Sequence, residues 1–161
     1  MILATAGKVR DLKDAVTWRA RQTGSVVFTN GVFDLIHPGH VELLEAARRE
    51  GNCLIVGVNS DGSVRLLGKG ADRPINHEAA RARVLAGFVA VDCVVLFDGT
   101  TPLDLIQRLK PDVLVKGADY GREEIVGADF VESEGGRVVR VPLVGGYSTT
   151  SIVERLRASS R

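Results

Sequence analysis

Two histidines lie three positions apart in this sequence of 161 residues, with Pro38 and Gly39 between His37 and His40. An apolar run that predicts a strand precedes them, and a pattern of helical period follows them. A tight turn between strand and helix would bring both imidazoles close to the first N–H groups of the helix, where anions are favoured. We therefore expect a site that stabilises negative charge as it develops in a reaction.

Two other interpretations of the same turn remain. It could be a helix cap in which two histidines happen to be packed. A zinc site is less consistent with the spacing, since the pair lacks the HExxH pattern and the third histidine, His77, lies in a different loop without a nearby cysteine. Cys53 and Cys93 each lie inside an apolar run, which is typical of buried reduced thiols and favours a cytoplasmic protein.

Short β-branched runs alternate with longer helical patterns along the chain, which is typical of βαβ units with parallel strands. The fold class predicted is therefore a single-domain, Rossmann-like, three-layer α/β/α arrangement with a parallel sheet of about five strands. Strands are predicted at residues 25–29, 54–58, 92–97, 113–115 and 137–141. Helices are predicted at residues 8–22, 40–50, 78–88, 125–134 and 149–157, with a further one that begins at Thr101-Pro102.

Ligands of such sheets bind beyond the carboxyl ends of the strands, at a point where the strand order reverses. Five segments follow predicted strands, and four of them carry the most distinctive polar residues of the chain. The second, residues 59–76, is predicted as one long polar loop, and loops of that length are usually functional or mobile. The five segments are residues 30–39, 59–76, 98–101, 116–121 and 142–148.

Composition excludes several classes of protein. Hydrophobic residues make up 45% and charged residues 25% of the chain, which is ordinary for a globular domain and not for a disordered segment. The net charge is only +1, so a large basic surface for nucleic acid or anionic membrane is not expected. No apolar run approaches the roughly 18 residues of a membrane helix, and the N-terminus is a poor secretory signal.

The segment Asn30-Gly31-Val32-Phe33-Asp34, followed by His37-Pro38-Gly39-His40, resembles the motif of the HxGH nucleotidyltransferase superfamily. Further segments are similar to the heptose 1-phosphate adenylyltransferases, which often form the C-terminal half of a bifunctional kinase/adenylyltransferase. The similarity covers roughly residues 8–157 and implies a helical extension at residues 1–24 and a nucleotidyltransferase domain at residues 25–161. The absence of a kinase domain predicts the stand-alone form. The further segments are residues 58–61, 73–76, 91–92, 114–120 and 148–152.

The resemblance implies transfer of AMP from ATP to heptose 1-phosphate, giving ADP-heptose and pyrophosphate, by direct in-line attack with His37 and His40 stabilising the transition state. It also implies Mg²⁺ held mainly by the ATP phosphates, and a homodimer or higher homo-oligomer. One alternative is a cytidylyltransferase acting on a polyol phosphate such as glycerol 3-phosphate, although the arginine that those enzymes carry shortly before the Ser-Thr-Thr segment is absent here. The other is a nucleotide-binding module without turnover.

Candidate site residues follow from the turn, from the loops and from the resemblance. Lys69 lies between two glycines and is predicted to swing over the phosphates as a third catalytic group, with a solvated loop lysine as the alternative. A second set is predicted to bind the nucleotide or its phosphates, with helix capping as the alternative for its last three members: Thr29, Asn30, Gly31, Phe33, Gly39, Lys116, Gly117, Asp119, Ser148, Thr149 and Thr150. Substrate contacts, or purely structural roles, are expected for Asp34, Asn59, Arg73 and Arg81.

Overall fold

A parallel sheet of six strands forms the centre of the computed structural model, which describes residues 5–68, 70–142 and 145–159. The strands are Val9–Arg10 (β1), Val26–Gly31 (β2), Cys53–Asn59 (β3), Cys93–Phe97 (β4), Val113–Gly117 (β5) and Arg137–Val141 (β6). Their order in the sheet is β1-β4-β3-β2-β5-β6, and every pairing is parallel. The predicted α/β class is confirmed, with one strand more than the expected five.

Helices cover both faces of this sheet. They are Leu12–Ala20 (α1), Pro38–Arg49 (α2), Asp61–Leu66 (α3), Glu78–Ala86 (α4), Leu103–Leu109 (α5), Ala128–Ser133 (α6) and Thr149–Ser159 (α7), with 3-10 turns at Thr5–Lys8 and Arg122–Glu124. No helix of the described residues combines the length and apolar character that a membrane crossing requires.

Alternating side chains of the strands build two separate cores. Phe28 and Leu114 point to the face covered by α1, α5 and α6, where Ala15 and Ile106 are fully buried. Their chain neighbours point to the other face, under α2 and α4. That second core contains Val27, Val113, Leu44, Ala47, Ala82 and Leu85. The result is the predicted three-layer arrangement.

Three differences from the sequence-based expectation are larger than about two residues. The first helix begins at Leu12 because the Asp11 side chain accepts a hydrogen bond from the N–H of Asp14, and the residues just before it form β1 instead. The segment predicted as one loop over 59–76 contains α3, whose first turn is capped by the Ser60 side chain. The helix expected from Ile125 begins at Ala128, after Gly127 in a left-handed conformation.

The N-terminal residues pack on the rest of the fold. β1 pairs with β4 at the edge of the sheet, and Lys8 donates through Nζ to the carbonyls of Phe88 at 3.0 Å and Val91 at 2.6 Å. The side chain of Ala15 is fully buried in the core. The segment predicted as a helical extension therefore contributes a strand as well as a helix to the packed body.

A crevice opens where the strand order reverses. β2 lies between β3 and β5, and the chain leaves β2 toward β3 on one side and reaches β5 only after two further crossovers. Pairing with β3 runs the whole length of β2, whereas pairing with β5 is limited to Val27 and Phe28. Beyond Phe28 the two strands separate, which leaves room for a ligand at their carboxyl ends.

Candidate active site

The two histidines stack on one another at the start of α2. Their ring centroids are 3.7 Å apart with an interplanar angle of 20°. His37 occupies the N-cap position, and Pro38 is the first helical residue, where the missing N–H of proline costs nothing. A Cβ at Gly39 would lie 3.1 Å from the His37 ring, closer than ordinary contact. Glycine therefore lets the ring fold over the first turn of the helix.

Phe33 supports the pair from below. Its ring is 4% exposed and its centroid lies 5.2 Å from that of His40. The backbone of Phe33 has a left-handed φ of 49°, a conformation that costs a non-glycine residue free energy on the order of 1 kcal/mol. Strain of this kind persists where surrounding packing fixes it and is concentrated at functional sites. The predicted role of Phe33 beside the site thus has a packing basis.

Burial keeps both imidazoles uncharged at neutral pH. Burial lowers the pKa of His40 to about 4, and the neighbouring His37 lowers it further in the same direction. Burial also lowers the pKa of His37 below its usual value. Each ring can therefore donate through one nitrogen only. The Nδ1 atoms of both rings make no hydrogen bond within the described part of the chain.

This pKa shift predicts a loss of stability in acid. The unfolded chain protonates His40 near pH 6.5, whereas the folded chain does so only near pH 4. Stability contributed by the neutral ring is therefore complete above pH 6.5 and falls as the pH drops from 6.5 to 4, by on the order of 2–3 kcal/mol. Urea unfolding at pH 7.5 and 4.5 measures the free energy of unfolding at each pH. The decrease between the two should be smaller for His40→Asn than for the unchanged protein. Equal losses would contradict the shift.

Further buried polar atoms without partners cluster at the end of β2. Among the described residues, the Thr29 hydroxyl and the Asn30 side-chain oxygen make no hydrogen bond, although both atoms are buried. Buried polar atoms are nearly always hydrogen-bonded in folded proteins. Together with the two imidazole nitrogens, these four atoms mark a place where the fold leaves polar groups for a ligand.

Two adjoining cavities contain most of the predicted residues. The larger, about 510 Å³, is within the range of small-molecule sites. The smaller, about 160 Å³, lies at the crevice between β2 and β5, and both are lined by Phe33, His40 and Asp119. The larger cavity also contains Asp34, His37, Gly39, Arg73, Ser148, Thr149 and Thr150. The smaller also contains Thr29, Asn30, Gly31, Lys116 and Gly117.

The start of α7 forms the wall opposite the histidines. The Ser148 hydroxyl accepts a hydrogen bond from the N–H of Ser151 at 3.0 Å, so it caps the helix as it lines the cavity. Thr149 donates to the carbonyl of Leu35 at 3.4 Å. Tyr147, which is not among the site residues predicted from the sequence, also lines the cavity, with its ring 6.4 Å from that of His37. Its position directly before the Ser-Thr-Thr run was the available signal.

Asp34 organises the loop that follows α3. Its side chain is fully buried and accepts from Arg73 Nε at 2.6 Å and from the backbone N–H groups of Ile75 and Asn76, each at 2.9 Å. Burial alone would raise the pKa of Asp34, but the hydrogen bonds from Asn76, Ile75 and Arg73 lower it below its usual value. The carboxylate stays ionised, and its contacts hold Arg73 at the edge of the larger cavity.

Two predicted substrate contacts lie outside these cavities. Asn59 is 4% exposed and donates to the Ser63 hydroxyl at 2.8 Å. Arg81 is 1% exposed and donates to the carbonyls of Val32 and Asn76 and to Asp61 Oδ1. Both are engaged with protein groups because they lie beneath the loops rather than facing the site. The predicted catalytic Lys69 lies outside the described residues.

The crevice at the strand-order reversal and the paired histidines at a helix start define a class of nucleotide-binding α/β proteins. A family described as Cytidylyltransferase-like matches residues 28–155. The chain therefore belongs to this family of nucleotidyltransferases, and the resemblance recognised in the sequence is confirmed.

Two curated relatives are identical to this chain at more than half of the aligned positions. "Bifunctional protein HldE" of Gluconobacter oxydans is 57% identical over 139 residues, which are 86% of this chain and 29% of the relative. The protein of the same name from Hyphomonas neptunium is 58% identical over 138 residues, 86% of this chain and 28% of the relative. The chain thus spans less than a third of the length of these two curated relatives.

Solved structures share the fold. A lipopolysaccharide core biosynthesis protein from Thermoplasma volcanium superposes with a TM-score of 0.66 at 26% identity, covering 76% of this chain and 99% of that one. A pantoate-beta-alanine ligase from Francisella tularensis gives 0.58 at 13% identity, covering 95% and 78% of the two chains. The second similarity is one of fold alone.

Proposed function

We propose that this chain transfers AMP from ATP to heptose 1-phosphate, giving ADP-heptose and pyrophosphate. The observation that carries this proposal is the stacked pair His37 and His40 in a cavity of about 510 Å³ at the start of α2. The family supports nucleotidyl transfer. The sequence resemblance to the heptose enzymes and the HldE relatives support the sugar phosphate as acceptor.

The chemistry asks little of the protein beyond alignment and charge stabilisation. An oxygen of the sugar phosphate, already ionised at neutral pH, attacks the α-phosphorus of ATP. A new P–O bond forms as the bond to pyrophosphate breaks, so no general base is required. His37 and His40 would act as hydrogen-bond donors to the phosphoryl oxygens, and each well-placed donor contributes roughly 3 kcal/mol of transition-state stabilisation.

The two cavities suggest how the nucleotide lies. The triphosphate would run between the start of α2 and the hydroxyls of Thr149 and Thr150. The ribose and base would enter the smaller cavity, where Lys116 and Gly117 end β5 and Asp119 follows the strand. The unpaired Thr29 and Asn30 oxygens in the same region support this direction.

Mg²⁺ is implied by the family and would neutralise charge on the triphosphate. Within the described part of the chain, no group of three or more His, Cys, Asp or Glu side chains could hold a metal ion. Asp34 is already engaged by Arg73, whereas the Asp119 carboxylate lines both cavities. This donor set fits an ion carried mainly by nucleotide phosphates and water, with Asp119 as the available protein oxygen.

The test is pyrophosphate release with each nucleotide and acceptor. With heptose 1-phosphate and Mg²⁺, we expect release with ATP to exceed release with CTP by at least about tenfold, since a difference of one lost base contact is worth that much. Release with CTP and glycerol 3-phosphate, but not with ATP, would replace the proposal by a cytidylyltransferase. Tight ATP binding without pyrophosphate from any acceptor would indicate a binding module.

A further inference from the structure

In addition to the two cavities described above, a side cavity of about 420 Å³ opens beside the one that contains the histidines. Arg73 and Thr150 line both cavities, so the two spaces meet at these side chains. The remaining walls come from the loop before α4 and from α7, and include Asp72, Val153 and Glu154. A molecule with one end at the histidines could therefore extend past Arg73 into this space.

Arg73 is held in a fixed orientation at this junction. Its side chain is 11% exposed, and its Nε donates to the fully buried carboxylate of Asp34 at 2.6 Å. Within the described residues, its two terminal nitrogens make no hydrogen bond. A planar guanidinium anchored at Nε presents those nitrogens side by side, which suits two oxygens of one phosphate group.

The side cavity combines acidic, hydroxyl and apolar groups. Asp72 forms an ion pair with Arg157 across the opening. The Glu154 carboxylate has no hydrogen bond or ion pair with another side chain in the described part of α7 or its surroundings. Ile75 and Val153 supply apolar surface. Carboxylates that accept from hydroxyls, next to small apolar patches, are suited to a polyhydroxylated carbon skeleton.

A separate cavity, called the α4–α7 cavity, offers a comparison. It has about 480 Å³ and lies between α4 and α7, with Val84, Ile152 and Leu156 among its lining residues. Neither Arg73 nor either of the stacked histidines lines it. Arg81 lines it, but its guanidinium is already bonded to Val32, Asn76 and Asp61. The walls are otherwise mostly apolar, which does not suit a sugar phosphate.

We propose that the cavity of Asp72, Val153 and Glu154 is the acceptor subsite. The acceptor phosphate binds Arg73 at the junction, next to the histidines, and the hydroxylated carbon chain lies against Glu154 and Asp72. This inference rests on the proposed function and assigns the part of the site that distinguishes one sugar phosphate from another.

Steady-state kinetics of two α7 variants test the subsite. Val153→Phe fills the cavity, and Glu154→Ala removes an exposed carboxylate without disturbing packing. We expect each to raise the KM for heptose 1-phosphate by about tenfold, because a hydrogen bond or the room for a hydroxyl is lost. The KM for ATP should change less than about twofold. The matched control is Val84→Phe in the α4–α7 cavity, which should leave the KM for heptose 1-phosphate and the KM for ATP unchanged.

Three outcomes would overturn an assignment, and they are separable. If the variants turn over with an unchanged KM for the acceptor, the subsite is wrong while the proposed function stands. If the KM for ATP rises instead, the cavity belongs to the nucleotide. If the unchanged protein releases no pyrophosphate with ATP and heptose 1-phosphate, the proposed function itself fails. Glu154→Ala, at an exposed position, carries the test if Val153→Phe does not fold.

Discussion

Replacing His40 with alanine should lower kcat by at least about a hundredfold while the affinity for ATP stays within a few-fold. The reason is that a donor aimed at charge formed only in the transition state contributes to rate and little to ground-state binding. His40 lies in the cavity, stacked on His37 with 3.7 Å between ring centroids. Rates of pyrophosphate release and equilibrium binding of ATP measure the two quantities separately.

His77→Ala is the matched control for this experiment. His77 is the remaining histidine of the sequence, its side chain is 88% exposed, and it contacts Asp61 away from the cavity. The rate should be unchanged in this variant. An unchanged kcat in His40→Ala would remove the histidine pair from the reaction, whatever the family of the chain.

Replacing Arg81 with methionine should lower the free energy of unfolding by about 3 kcal/mol or more. The guanidinium is completely buried and bonds Val32, Asn76 and Asp61 at once. Methionine fills a similar space but leaves the carbonyls of Val32 and Asn76 without this donor and the Asp61 carboxylate without its guanidinium partner, and such losses at buried groups are costly. Urea unfolding monitored by circular dichroism gives the difference.

Arg83→Met is the comparison for Arg81, because it lies in the same helix with an exposed side chain. Its effect should stay within about 0.5 kcal/mol. The Arg81 variant should retain its KM for both substrates at a temperature where it is folded. A variant of full stability and raised KM would instead support the substrate contact that the sequence suggested for Arg81.

Sequence reasoning predicted the strand–turn–helix around His37 well because three local signals agree there. A buried strand precedes the turn, Pro38 suits the first helical position and Gly39 allows the His37 ring to fold back. By contrast, β1 has two residues and α3 has six, which is too short for periodicity to show. Ser60, as an N-cap residue, was a local signal for α3, but the glycines and charged residues around it favoured a loop.

Arg81 and Tyr147 show why the rest of the site could not be predicted. A helix containing two arginines two positions apart does not say which is buried until the sheet beneath it is known. The spacing of Arg81 from the buried Leu85, four residues on, was the available hint. Tyr147 joins the cavity because α7 folds back toward α2, a long-range contact that no local pattern encodes. The expected homodimer or higher homo-oligomer and the cytoplasmic location stay predictions.

The walls of the larger cavity come from stretches of chain near residues 34, 73, 119 and 148. The first and the last of these stretches lie far apart along the sequence, so a fragment that stops before residue 148 lacks one wall of the cavity. During synthesis, the residues of α7 must leave the ribosome before that helix can close against the histidines. Catalytic activity would then appear only after α7 has packed, so its onset would indicate that the contacts between distant parts of the chain have formed.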